Sequence, residues 1–127
     1  MKYFLSILST LFILITHNLA AADGIKFEEA SFDSQLKAGK SILVTVHAPW
    51  CSTCRAQVPV LKDVLSQKEF QKIVVMNIDF DSEKEILKKL NVQKQSTLIA
   101  FKSGIEVGRS IGDTTNYGIK TLLQKAI

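Results

Sequence analysis

Strand-like and helix-like patterns alternate along residues 27–127, and this alternation constrains the fold more than any other feature of the sequence. Runs of β-branched and other apolar residues predict strands, and apolar residues three or four positions apart predict helices. The predicted order is helix, strand, helix, strand, helix, strand, strand, helix, with strands at 42–47, 73–78, 97–101 and 105–110. Such an order predicts an α/β domain with a central mixed sheet and helices on both faces.

Capping signals mark several of the predicted helices. The first helix is predicted over residues 27–38. Ser82 and Glu85 have the S-x-x-E spacing of a capping box, which predicts the start of the third helix. Thr114 or Thr115 is predicted to cap the last helix, because a threonine hydroxyl can accept a hydrogen bond from a free N–H of the first turn.

The first 22 residues have the pattern of a secretory signal peptide. Lys2 gives a positive start, residues 3–15 are mainly apolar, and three small alanines end at Ala22. Because about 20 apolar residues are needed to cross a bilayer, we favour cleavage after Ala22 over an uncleaved anchor, and expect no stable membrane insertion afterwards. The predicted product is one domain at 23–127, exported to the bacterial periplasm, where disulfides persist.

The charge pattern argues against a nucleic-acid partner. The chain has 16 basic and 12 acidic residues, a formal net charge of +4, and no block of five or six like charges. Nucleic-acid binding needs a clustered basic face with groups that stack on or read bases. We therefore predict no nucleic-acid partner, and we also expect a monomer. The two cysteines allow one bridge or one redox pair.

The sequence Cys51-Ser52-Thr53-Cys54 lies between a predicted strand and a predicted helix. The N–H groups at a helix N-terminus stabilise negative charge, so Cys51, at the exposed helix tip, is expected to ionise more easily than a free thiol. Cys54, one turn later, is placed to attack a mixed disulfide formed by Cys51. The spacing therefore predicts a reversible dithiol–disulfide couple that needs no cofactor.

Other functions for the two cysteines compete with this prediction. A structural metal site normally needs four ligands, and only Cys51, Cys54 and His47 are available near the motif. A bridge across two residues restricts the unfolded chain little, so an inert structural disulfide would stabilise weakly. We predict no bound metal, and keep a redox-inactive or metal-responsive binding module as the alternative, because a fold does not establish a function.

A series of segments resembles the ordered landmarks of a thioredoxin-family domain across residues 27–127: Ala48-Pro49-Trp50-Cys51-Ser52-Thr53-Cys54, Pro59, Val75-Met76-Asn77-Ile78-Asp79, Thr97-Leu98, Phe101-Lys102-Ser103-Gly104 and Gly112. The resemblance implies a thioredoxin-like fold and a thiol–disulfide oxidoreductase that acts on protein thiols and disulfides and exchanges electrons with a redox partner protein. It implies that Cys51 attacks and that Cys54 resolves. Pro59 would bend the helix, Gly112 would leave room for a partner's chain, and the implied substrate-binding residues are Trp50, Gln95, Ser96 and Gly112.

The chain departs from the family at the position beneath the second cysteine. Thioredoxins carry a buried aspartate there and a lysine on the next strand, whereas this chain has Thr45 and Val75. His47 lies two residues beyond Thr45, so strand alternation places both on one face. An imidazole can exchange protons near neutral pH. We therefore predict His47 as a catalytic acid–base for Cys54, with simple packing under the active-site loop as the alternative.

Ser96 is a further departure, because thioredoxin-like proteins usually have a cis proline immediately before the threonine that corresponds to Thr97. A cis bond costs about 2.5–4 kcal/mol before a residue other than proline, but only about 0.5–1 kcal/mol before proline. The Gln95–Ser96 peptide bond is therefore predicted to be trans. The Ser96 hydroxyl is predicted to lie near Cys51, where it would hydrogen-bond the thiolate or a docked substrate.

Overall fold

The computed structural model describes residues 23–127, and the predicted signal peptide at 1–22 lies outside the described residues. A short 3-10 helix at Lys68–Phe70 lies between the helix Ser52–Leu65 and the strand Val74–Asp79. No helix within residues 23–127 is long and apolar enough to cross a membrane. In chain order the described elements are β1 (Ile25–Lys26), α1 (Glu29–Lys37), β2 (Ile42–His47), α2 (Ser52–Leu65), β3 (Val74–Asp79), α3 (Lys84–Lys89), β4 (Thr97–Lys102), β5 (Ile105–Ile111) and α4 (Asn116–Gln124).

The strands form one mixed sheet in the order β1-β3-β2-β4-β5. β2 is parallel to β3, with Ile42 opposite Val74 and His47 opposite Asp79. β4 is antiparallel to both β2 and β5. The central strand β2 is covered on both faces, which explains why its sequence is an almost continuous apolar run rather than an alternating one. The predicted mixed sheet is confirmed.

Two hydrophobic cores, one on each face of the sheet, hold the helices in place. On one face α2 and α4 pack against alternate strand residues, and this core is built from Leu43, Val75, Leu98, Leu61, Val64, Ile119 and Leu123. On the other face α1 and α3 cover a core that includes Ile42, Val44, Met76, Ile99, Phe32 and Leu87. The alternation of strand side chains between faces thus gives the predicted helices on both sides.

The predicted cap of α4 is confirmed, whereas the predicted capping box of α3 is wrong. Thr115 is the N-cap of α4, and its hydroxyl accepts a hydrogen bond from the N–H of Gly118 at 3.1 Å. The N-cap of α3 is Glu83, which makes no side-chain cap. Ser82 instead donates its hydroxyl and its N–H to the Asp79 carboxylate, at 3.0 and 2.9 Å. Because Ser82 hydrogen-bonds to the Asp79 carboxylate at the end of β3, it does not cap α3.

Candidate active site

Cys51 is the N-cap of α2, directly after the loop that leaves the central strand β2. Its sulfur accepts a hydrogen bond from the N–H of Cys54 at 3.1 Å. The first turn of α2 contains no acidic residue, so no carboxylate there opposes the positive end of the helix dipole. Both features stabilise a thiolate at Cys51 relative to the neutral thiol.

Cys51 and Cys54 form a disulfide, with their Cα atoms 5.3 Å apart. This separation lies within the ordinary range for a disulfide, so the helix can hold the pair in the oxidised state. The expectation that Cys51 lies at an exposed helix tip is wrong, because Cys51 is 3% exposed and Cys54 is 4% exposed. Ala48 and Phe80 pack around the pair. Only a small part of either cysteine is therefore open to an approaching substrate.

The Ser96 hydroxyl lies against both sulfurs. Its oxygen is 3.2 Å from Sγ of Cys51 and 3.0 Å from Sγ of Cys54, and Ser96 itself is 2% exposed. The predicted proximity of Ser96 to Cys51 is confirmed. The same hydroxyl also contacts Cys54, so one buried donor can serve either sulfur during disulfide exchange.

The backbone of Ser96 is held in an unusual conformation. The described residues contain no cis peptide bond, so the predicted trans bond between Gln95 and Ser96 is confirmed. The φ angle of Ser96 is +59°, in the left-handed region that disfavours residues with a Cβ by about 1–2 kcal/mol. Two backbone hydrogen bonds fix it: its N–H donates to the Val46 carbonyl at 2.8 Å, and its carbonyl accepts from Gly112 at 3.0 Å.

Gly112 holds Ser96 through its backbone N–H, and its lack of a side chain permits a left-handed backbone conformation. Its φ angle is +73°, which glycine adopts without strain. A Cβ at this position would meet only Cγ2 of Thr53, at the ordinary contact distance of 4.0 Å, so crowding does not explain the glycine. Gln95 is half-buried beside Ser96. Substrate docking at Gly112 and Gln95 remains a prediction.

Trp50 is 57% exposed beside the disulfide and is anchored at its indole nitrogen. The indole N–H donates to both carboxylate oxygens of Asp81, at 2.9 and 3.1 Å. Asp81 in turn donates its backbone N–H to the Asp79 carboxylate at 2.9 Å. The ring of Trp50 lies edge-on to Phe80, with 6.4 Å between centroids. The turn after β3 therefore orients an exposed aromatic surface next to Cys51.

Hydrogen bonds from Ser82, first from its backbone and then from its side chain, lower the pKa of Asp79, with a smaller effect from the nearby His47. A carboxyl whose pKa is lower in the folded state stabilises the protein above its unfolded-state pKa. That contribution is lost as the pH falls through the lowered folded-state pKa. The turn that positions Trp50 is thus supported at neutral pH and weakened in acid.

His47 is exposed at the end of β2 and lines a cavity of about 220 Å³ beneath α2. Thr45 lines the same cavity. Thr45 and His47 are alternate residues of the regular strand β2, so both lie on one face as predicted. The Thr45 hydroxyl donates to Oδ1 of Asn77 at 2.6 Å, and it cannot replace an ionisable carboxylate. The role of His47 as acid–base for Cys54 remains a prediction.

Gln57 is a buried site residue that the sequence analysis missed. It lies on α2 three residues after Cys54 and is 4% exposed. Its Nε2 donates to the Asp113 carbonyl at 2.8 Å and to the Ser96 carbonyl at 3.3 Å. The sequence signal that identifies Gln57 is its helical spacing from Cys54 and Leu61, which places a polar residue on the face of α2 that packs against the core.

The metal-site alternative required Cys51, Cys54 and His47 to come together with a further ligand. Within residues 23–127, no group of three or more His, Cys, Asp or Glu side chains is arranged to hold a metal ion. The two cysteines are instead bonded to each other. The geometry of the pair is that of a disulfide centre.

These observations define a class of protein: a dithiol–disulfide protein with a C-x-x-C pair at the start of the helix that follows the central strand of a mixed sheet. Comparison with known proteins gives the family, because the thioredoxin family model matches residues 24–125. The chain belongs to the thioredoxin family of thiol–disulfide oxidoreductases. The family resemblance inferred from the sequence and the predicted thioredoxin-like fold are both confirmed.

Individual relatives agree with this assignment over most of their length. The chain is 31% identical over 101 residues to thioredoxin of Bacillus subtilis strain 168, covering 80% of this chain and 95% of that protein. It is 31% identical over 94 residues to thioredoxin of Echinococcus granulosus, covering 74% and 85%. The crystal structure of Trxlp from Edwardsiella tarda EIB202 superposes with a TM-score of 0.75 and 33% identity, covering 78% of this chain and 96% of that one.

Proposed function

We propose that this protein is an exported thiol–disulfide oxidoreductase that exchanges its Cys51–Cys54 pair with disulfides of other proteins. The observation that carries the proposal is the environment of the Cys51 sulfur. It caps α2, accepts the Cys54 N–H, and lies 3.2 Å from the Ser96 hydroxyl. Hydrogen bonds to an ionised sulfur are stronger than those to a neutral one, so these groups favour the nucleophilic thiolate.

The proposed reduction of a substrate proceeds in two exchanges. The Cys51 thiolate attacks one sulfur of the substrate disulfide, an S–S bond forms between them, and the other substrate sulfur leaves as a thiolate. Cys54 then loses its proton and attacks the Cys51 sulfur. The Cys51–Cys54 disulfide forms, the second substrate thiolate leaves, and two electrons have passed to the substrate. The reverse sequence oxidises a dithiol, and the relative reduction potentials set the direction.

His47 is the proposed proton acceptor for Cys54 in the second exchange. Its support is its place at the end of β2, in the cavity that Thr45 and Gln57 also line. An imidazole ionises near neutral pH, whereas the hydroxyl of Thr45 does not. We therefore propose that His47, two residues beyond Thr45 on the same face of β2, takes the proton-transfer role of the aspartate that thioredoxins usually carry at the position of Thr45.

The proposed partners are proteins. Trp50 offers an exposed aromatic surface beside the cysteines, and Gln95, Ser96 and Gly112 are the proposed contacts for an extended substrate segment. A second redox protein must return the pair to its starting state after each turnover, since the chemistry consumes one disulfide or one dithiol. We propose that the protein acts as a monomer.

Export to the periplasm is supported by the signal-peptide pattern of residues 1–22. We expect the full chain, produced in a bacterial host with a periplasm, to be recovered there with Asp23 as its first residue. N-terminal sequencing of the protein from each cell fraction measures this. A chain that keeps residues 1–22 and remains in the cytoplasm would contradict the proposal.

Catalysed reduction of insulin disulfides tests the proposed activity. With dithiothreitol as electron donor, the purified protein is expected to accelerate precipitation of the insulin B chain well above the rate of dithiothreitol alone. Cys51→Ser is expected to reduce the rate to that background, because the attacking sulfur is absent. A wild-type protein no faster than its Cys51→Ser variant would exclude protein disulfide reduction and favour a binding module.

A further inference from the structure

We infer that Gln57 is a positioning residue of the redox centre: it holds Ser96 so that one hydroxyl reaches both sulfurs, and it thereby sets the reduction potential of the Cys51–Cys54 pair. The inference deepens the proposed function and rests on that pair being redox-active. Gln57 touches neither sulfur in a hydrogen bond, and its amide acts through the backbone carbonyl of Ser96.

The side-chain amide of Gln57 ties the active-site helix to two separate loops. Nε2 carries two hydrogens, and the two acceptors lie on different segments: the Ser96 carbonyl directly before β4, and the Asp113 carbonyl shortly after β5. Gln57 is 4% exposed and Ser96 is 2% exposed, so no water replaces the donor to the Ser96 carbonyl when the amide is lost. An apolar residue at this position would leave a buried carbonyl short of a partner, which is costly.

Ser96 needs such restraint because its conformation is intrinsically unfavourable. At φ = +59° the backbone of a residue with a Cβ is strained, and strained conformations persist only where surrounding contacts over-determine them. Three groups fix the Ser96 backbone: the Val46 carbonyl, the Gly112 N–H and the Gln57 amide. Of these, only Gln57 contributes through its side chain, so it can be altered without changing the backbone chemistry.

The position of Ser96 matters for the redox equilibrium. In the reduced protein the hydroxyl donates to the Cys51 thiolate, and a hydrogen bond to a charged acceptor is stronger than one to the neutral sulfurs of a disulfide. Ser96 therefore stabilises the reduced form more than the oxidised form, which makes the pair more oxidising. Loosening Ser96 is expected to make the pair more reducing and to raise the pH at which the Cys51 thiolate forms.

A double-mutant cycle on the full protein separates positioning from packing. The variants are Gln57→Leu, Ser96→Ala and the combination, and the readout is the equilibrium of the cysteine pair with glutathione. We expect Ser96→Ala to shift this equilibrium about tenfold toward the disulfide, or about 30 mV more reducing, because the reduced form loses a hydrogen bond to its charged sulfur. Gln57→Leu is expected to shift it about three- to tenfold in the same direction. In the Ser96→Ala background Gln57→Leu should add little.

The matched control is Val64→Ala, which removes a fully buried side chain from the same helix. It should lower stability and leave the glutathione equilibrium unchanged. Gln57→Met, with a similar length and no donor, replaces Gln57→Leu if the latter does not fold. An unchanged equilibrium in the Gln57 variants would overturn the inference, and so would an equal shift with and without the Ser96 hydroxyl. Because glutathione is the only reactant, failure in the insulin assay would contradict the proposed function without affecting this result.

Discussion

Replacing Cys54 with serine is expected to leave the protein covalently attached to its substrate after a single attack. Cys51 keeps its position as N-cap of α2 and still accepts the N–H of residue 54, so the first exchange proceeds. A serine hydroxyl does not resolve the resulting mixed disulfide, because the thiolate is the nucleophile of disulfide exchange. Turnover of insulin should fall to the background of the chemical reductant while a stable mixed disulfide accumulates.

Non-reducing electrophoresis and mass spectrometry of the intact adduct measure this trap. Cys51→Ser is the matched control and should form no adduct. Trapping by Cys51→Ser instead of Cys54→Ser would mean that the roles of the two cysteines are reversed. The same trapped species offers a route to the protein substrates, since each would be recovered as a disulfide-linked partner.

The resolution step also tests His47. If His47 accepts the proton of Cys54, His47→Ala should slow mixed-disulfide resolution in single-turnover experiments between about pH 6 and 8, where an imidazole titrates. The first exchange should keep its rate, because Cys51 is stabilised by α2 and by Ser96. Resolution at the wild-type rate throughout this pH range would leave His47 with a packing role only.

Replacing Ser96 with proline is expected to destabilise the protein strongly, although proline is the usual residue of the family at this position. Proline holds φ near −65° and has no N–H, whereas Ser96 has φ = +59° and donates to the Val46 carbonyl at 2.8 Å. The loop must therefore rearrange or lose a buried hydrogen bond. We expect the free energy of unfolding to fall by about 2–4 kcal/mol in denaturant titrations, together with a changed reduction potential and altered substrate preference.

Ser96→Gly separates the effect of changing the backbone at this position from the effect of removing the hydroxyl. Glycine accepts the left-handed conformation and keeps the N–H, so stability should stay within about 1 kcal/mol of wild type. The hydroxyl is lost, so the pair should become more reducing, as in Ser96→Ala. A Ser96→Pro variant as stable as wild type would show that the left-handed conformation is easily replaced. A Ser96→Pro variant with unchanged potential and turnover would remove the functional role assigned to the hydroxyl.

Most of the fold follows from hydrophobic patterning, and the differences have local causes. β2 is predicted with the bounds Ile42–His47 that the structure shows, because a central strand buried on both faces leaves a continuous apolar run. β1 is missed, since it has only two residues, Ile25–Lys26, and both are exposed. β1 forms by parallel backbone pairing with β3, and two residues are too few to show a hydrophobic pattern that would predict a strand.

The chemistry of the site is predictable from the sequence to the extent that it depends on residue spacing. The C-x-x-C motif, the strand before it and the departure at Ser96 locate the redox pair and its neighbour. The left-handed backbone of Ser96 is not predictable, because hydrogen bonds from distant segments impose it. Gln57 is missed for the same reason: its carbonyl acceptors are 39 and 56 residues away along the chain.

The central claim is that Cys51 and Cys54 form a reversible redox pair, and a redox titration measured by mass spectrometry tests it most directly. The purified protein is equilibrated in glutathione buffers from strongly reducing to oxidising and the thiols are then alkylated. We expect one two-electron transition between a doubly alkylated dithiol and an unalkylated Cys51–Cys54 disulfide. A pair that stays in one state across all buffers, or that accumulates only glutathione adducts, would contradict the claim.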